Sequence, residues 1–172
     1  MTPNSLALKL SNILESSARS MARSAFNLSV DTITSTESRE FVQSYYPKAN
    51  FVFLDGTYKT ISGKNWKDII DWDKTDLLKY VKEFYDCDDF SYTFKYSIIH
   101  KLGIPCFVVH GHIYNKNGGW IAGHFWNAMI ADNKLYFYEP IYDRLVEIIK
   151  GQKVFIKMAT EEREYRALTF EF

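Results

Sequence analysis

Helical periodicity confined to the first hundred or so residues, β-rich runs filling the remainder, and a Gly103-Ile104-Pro105 break between them predict an α+β fold. In that reading N-terminal helices pack on a C-terminal antiparallel sheet. A chain of 172 residues is the size of one ordinary domain, so a single core is expected. Phe, Tyr and Trp make up 17% of it, enough large rings to fill that core without a metal or disulfide staple.

The elements follow in order. From Leu10 through Ile13, Leu14, Ala18, Met21, Ala22, Ala25 and Phe26, apolar residues recur every three or four positions, which predicts an amphipathic helix. Asp31 to Ser38 is crowded with Ser, Thr and Asp, which compete with regular backbone pairing, and reads as a polar linker. Residues 1–40 are therefore expected to form a helical arm and linker ahead of a 41–172 domain. Phe51 to Leu54 and Thr57 to Ile61 flank Asp55-Gly56 and read as a short hairpin. Lys64 to Trp72 reads as helical, and Thr75 or Asp76 is placed to cap a helix running to about Phe84.

A further helix is expected to begin at Cys87. Asp88 and Asp89 fall in its first turn, Phe90, Phe94, Ile98 and Leu102 form one stripe, and Gly103 ends it. Strands are expected over Ile104–Tyr114, Trp120–Ile130, Leu135–Glu139, Lys153–Met158 and Tyr165–Phe172. Short turns between successive strands predict an antiparallel meander.

Lys plus Arg equals Asp plus Glu at 21 each, so no overall field attracts a polyanion and nucleic acid is not an expected partner. No run approaches the roughly 20 apolar residues of a membrane span. A soluble, cytoplasmic protein is the expectation, with the N-terminal helix available for self-association or partner docking. Cys87 and Cys106 are too few for a disulfide framework.

One constellation carries chemistry. If the hairpin around Asp132-Asn133 has a two- or four-residue loop, Glu139 falls opposite Trp126 and diagonal to His124, on one face with Ala128, Ile130, Leu135 and Phe137. The carboxylate then reaches the imidazole. A cysteine at a helix start lies where backbone amides favour a thiolate, and a neighbouring imidazolium favours it further. Cys87 is thus the candidate nucleophile, His124 its base and Glu139 the residue that orients the ring. The expected chemistry is attack on an amide carbonyl to form a Cys87 thioester, with no cofactor. Trp126 and Trp66 are the candidate substrate-binding residues; Gln43, Asn65 and Trp66 are of the right type for a second oxyanion donor. The helix from Cys87 is expected to pack on the His124 face.

Cys87-Asp88-Asp89-Phe90-Ser91, Gly103-Ile104-Pro105, Val108-Val109-His110-Gly111, Gly123-His124-Phe125-Trp126-Asn127 and Glu139-Pro140 resemble the transglutaminase-like branch of the papain-like cysteine peptidase superfamily. They are similar also to the peptidase-like domain of mushroom agglutinins, where the third residue is likewise a glutamate. The resemblance spans roughly residues 76–143 in the order Cys, His, acid. It implies a papain/transglutaminase-like core and a peptidase or amidase acting on a protein or peptide substrate, or a transglutaminase-type acyltransferase. The reading from another class is a catalytically silent binding or structural module on the same fold.

Plainer readings compete at several positions. A cysteine is more often a small buried hydrophobe than a nucleophile, and Cys106 is assigned to the core on that ground. His110 and His112 share a strand face but lack the spacing of a full ligand set, so no metal is assigned. Asp86, Asp88 and Asp89 lack the glycine and distant glutamate of a calcium loop.

Overall fold

The computed structural model describes residues 3–172, and over 3–12 and at Glu15 the backbone alone. The α+β class holds. The first helix, α1, spans Pro3–Ala25. The Leu10 end of its predicted stripe lies outside the described side chains. Its C-terminal half is tied down by arginines: Arg19 Nε donates to the His100 carbonyl at 2.9 Å and Arg23 Nε to the Leu102 carbonyl at 2.6 Å. Cations thereby meet the orphan carbonyls at the end of another helix.

The stretch read as a polar linker is regular structure. Val30–Thr34 forms strand β1 and Ser35–Gln43 helix α2. The cause is a capping box in which the Glu37 amide donates to Thr34 Oγ1 at 3.1 Å and the Thr34 amide to the Glu37 carboxylate at 2.8 Å. Nor do residues 50–61 form a hairpin. Strand β2, Asn50–Val52, and strand β3, Thr57–Ile61, choose other partners: β3 pairs antiparallel with β1. The rings of Phe51 and Phe53 instead stack on Phe170 and Phe172, at 5.7 and 6.1 Å.

Helix α3 spans Gly63–Trp72. The helix expected after it shrinks to one 3₁₀ turn, Thr75–Leu77. Asp73 Oδ1 takes the Thr75 amide at 3.0 Å, a local turn that competes with helix. Leu77 and Phe84 remain 72% and 84% exposed, so the apolar stripe finds no surface to lie on, and a short helix without one is marginal.

Helix α4, Cys87–Leu102, is the centre of the molecule. It ends at Gly103 in the left-handed conformation (φ 62°). Phe90, Phe94, Ile98 and Leu102 are fully buried along one stripe. Strands β4 (Phe107–Tyr114), β5 (Trp120–Ala131), β6 (Lys134–Glu139), β7 (Arg144–Ile148), β8 (Val154–Met158) and β9 (Glu161–Glu171) follow.

Among the described residues seven strands make the main sheet, in the order β2-β9-β4-β5-β6-β7 with β8 also on β9. It is not a plain meander, because β9 returns to pair with β4, and β2 joins β9 in parallel. The β5–β6 loop has two residues, Asp132 and Asn133, both at positive φ (50° and 56°). The resulting register pairs Asn127 with Tyr138 and Ala128 with Phe137.

The sheet separates two cores. Trp126, Ala128, Phe137, Tyr165 and Phe170 pack on one face with Val42 of α2. On the other, Met129, Ala131 and Tyr138 meet α3 and α4 through Ile69, Phe94 and Ile98. Helix α4 therefore lies on the Asn127 face, opposite the one expected: Asn127 Nδ2 donates to the Ser91 carbonyl at 3.0 Å, and the Phe94 and Tyr138 rings meet at 4.6 Å. No helix of the described residues is long and apolar enough to cross a membrane.

Candidate functional site

Pairing of β5 with β6 stops at Asn127 opposite Tyr138, so Trp120 to Trp126 hydrogen-bond to β4 alone. Through that open side the tip of α4 reaches the face it does not pack on. Cys87 stands at the first helical position after Asp86, half-buried, and its sulfur lies near enough to the His124 ring to raise that ring's pKa. His124 is 5% exposed, and its Nε2 lies 2.6 Å from Glu139 Oε2. With Nε2 so engaged, the ring nitrogen left for Cys87 is Nδ1.

Glu139 is fully buried at the end of β6, and a buried carboxylate needs donors. It has three. His124 Nε2 and the Tyr165 hydroxyl, at 2.7 Å, converge on Oε2, and the Ile141 amide donates to Oε1 at 3.2 Å. Burial by itself would push His124 down, but the Glu139 charge and the nearness of Cys87 and Glu139 outweigh it, and the ring is pushed up to about 10. The ring is thus an imidazolium at neutral pH, clamped between a carboxylate and a thiol.

Tyr165 is a site residue that sequence reasoning missed. It sits 26 residues beyond Glu139, on β9, and only the return of β9 beside β4 brings it in. Burial and the Glu139 carboxylate both raise its pKa, so it stays a phenol and donates.

The acids around Cys87 are largely spoken for. Asp89 accepts the Asp86 amide at 3.1 Å, and Asp86 Oδ2 accepts the Glu83 amide at 3.1 Å. The neighbouring carboxyls of Asp86 and Asp88 act on each other, which raises Asp88 and lowers Asp86. Ligand atoms of Asp86, Cys87 and Asp88 lie within 4.8 Å of one another, the one such group among the described residues; the histidines form none. His110 stacks on Phe125 at 4.8 Å, and His112 meets the Trp120 edge at 6.3 Å.

The structure brings Cys87, His124 and Glu139 together, and it removes the two tryptophans from any ligand surface. Trp126 is fully buried behind the relay, 5.1 Å from the Tyr165 ring, and Trp66 is 1% exposed in the α3–α4 core. Their large apolar rings are worth more inside than at a cleft wall. The donor candidates are committed elsewhere as well: Asn65 Nδ2 donates to the Phe26 carbonyl at 3.2 Å, and Gln43 is exposed at the end of α2. Cys106 is buried and free, as is the half-buried Cys87, so no disulfide joins them.

No protein-family model matches the chain, and no curated protein matches it. Solved structures do. One, titled as the PSL1a-E64 complex, aligns with a TM-score of 0.59 at 15% identity, over 82% of this chain and 50% of that one. A second is Polyporus squamosus lectin bound to the human-type influenza-binding epitope Neu5Aca2-6Galb1-4GlcNAc, with a TM-score of 0.56 at 16% identity, over 82% of this chain and 49% of that one. The chain spans about half the length of these structures.

At such identities the likeness is one of fold. It agrees with the mushroom-agglutinin side of the sequence resemblance, and neither title names a transglutaminase or papain-like peptidase. The expectation of a cysteine peptidase or amidase is corrected here: of the two structures, one is titled as a lectin bound to a sugar epitope and neither is titled as a hydrolase.

Proposed function

We propose that this chain is a binding module with carbohydrate as its ligand class, and that Cys87, His124 and Glu139 form a polarised anchoring point rather than a reaction centre. The observation that carries this reading is the likeness, over 82% of the chain, to two solved structures, one of them a lectin titled with a sialylated trisaccharide. The site chemistry is compatible with it. The half-buried Cys87 at a helix N-terminus is the part of the site nearest solvent, and the buried cationic ring behind it supplies a fixed charge. Residues 41–172 supply that site, and residues 1–40 act as a strap on it: β1 pairs with β3, while Arg19 and Arg23 fasten α1 to α4.

The test is a glycan-array screen of the full chain, followed by calorimetric titration with Neu5Aca2-6Galb1-4GlcNAc. Saturable binding that weakens about tenfold in His124→Ala, which removes the charge behind Cys87, is expected. Absence of any retained glycan, or peptide cleavage that disappears in Cys87→Ala, would overturn the reading.

A further inference from the structure

A cavity of about 440 Å³ lies between α1, β3, α4 and the end of β9, on the opposite end of α4 from Cys87. Its volume is that of an ordinary small-molecule site. Tyr58, Tyr96, Ile99, Pro105 and Phe172 give it apolar walls. Leaving Arg19 aside, Arg23, Lys59 and Lys95 line it against Asp55 and Glu171. Arg23 donates to the Leu102 and Gly103 carbonyls, and a carbonyl does not neutralise its charge.

Lys95 is the decisive group. It is 6% exposed, yet among the described residues its ammonium has only the Glu171 carbonyl at 3.4 Å and Glu171 Oε1 at 3.7 Å, both longer than a charge-assisted hydrogen bond. The other oxygen of Glu171 already accepts the Tyr92 hydroxyl at 2.8 Å. A buried ammonium held this loosely gains from a closer anion.

We infer that this cavity binds a small organic anion, a carboxylate or sulfonate joined to a flat or chain-like apolar body. The acid group sits between Lys95 and the Arg23–Lys59 rim, and the body lies along Tyr58 and Ile99. The site is separate from the Cys87 constellation and stands whether or not the chain binds carbohydrate.

The full chain is titrated with 1-anilinonaphthalene-8-sulfonate and, in parallel, with its uncharged counterpart N-phenyl-1-naphthylamine, while amide shifts are followed by NMR on the folded protein. Saturable sulfonate binding is expected, with shifts gathered at Tyr58, Tyr96 and Ile99 and affinity at least about tenfold above the neutral probe, one charge-assisted contact. Lys95→Met is expected to lower the sulfonate affinity by about the same factor. The exposed Lys59→Glu, which leaves the buried interior alone, is expected to do likewise and decides the matter if Lys95→Met fails to fold. Equal affinity for the two probes, sulfonate binding unchanged in Lys59→Glu, or shifts centred elsewhere would overturn the assignment.

Discussion

At the scale of single residues, the molecule's most consequential feature is a charged pair hidden from water. Breaking such a pair by removing one partner leaves the other uncompensated. Glu139→Gln is therefore expected to cost about 3 kcal/mol of unfolding free energy in urea melts and to lower the His124 pKa, read from its ring protons by NMR. Because the folded pKa of His124, about 10, stands above the ordinary 6.5, protonation favours the folded state. This contribution is fully present below about pH 6.5 and is lost as pH rises toward 10, so stability is expected to fall across that window in the wild type and to flatten in Glu139→Gln. The two thiols are expected to separate cleanly. Burial pushes Cys106 up to about 12, whereas Cys87 is half-buried at a helix tip, so iodoacetamide at neutral pH is expected to label Cys87 alone until the chain unfolds. The approach of His124 to Glu139 was legible because the two-residue turn at Asp132-Asn133 fixes which side chains share a face. Tyr165 was not, since nothing local to it reports that β9 runs beside β4.

At the scale of elements, what decides is whether an apolar stripe finds a surface. Helix α4 was readable from its acid-rich first turn, its four-residue spacing and Gly103, and the structure buries that stripe completely. Residues 77–84 show a similar spacing and form no helix, because Leu77 and Phe84 face water. The opposite error occurred at 31–38, where Thr34-Ser35-Thr36-Glu37 carried a capping signature inside a stretch of loop-like composition. The strand junction at Gly111 offers a direct test. A Cβ there would lie 2.2 Å from the Arg166 carbonyl and 2.5 Å from the Trp126 ring, with backbone on one side and a buried indole on the other. Gly111→Ala is expected to destabilise by at least ~2 kcal/mol through forced separation of β4 from β9, measured as a fall in the urea midpoint with unchanged slope.

At the scale of the whole molecule, α4 is held at both ends by distant parts of the chain. Its N-terminus meets His124 and its C-terminal carbonyls receive Arg19 and Arg23. The arm is the weaker attachment, since Ile13, Leu14 and Met21 remain exposed on α1 while Ala22 and Phe26 pack inward. Arg23→Ala is expected to abolish hydrogen-exchange protection in the C-terminal half of α1 and to leave β4–β6 protected, a local rather than global opening. The same layout keeps the proposed anion cavity, which α1 helps to wall, away from the Cys87 constellation at the other end of α4.

Local rules were enough to determine the α+β class, the start and stop of α4, the β5–β6 register and hence the approach of His124 to Glu139, because periodicity, capping and turn geometry act within a few residues. Which face of the sheet receives α4, which strand lies beside β4, and whether Trp66 and Trp126 face ligand or interior were settled only by the tertiary structure. Those outcomes depend on competition between distant apolar surfaces for burial, and no short window of sequence contains both competitors.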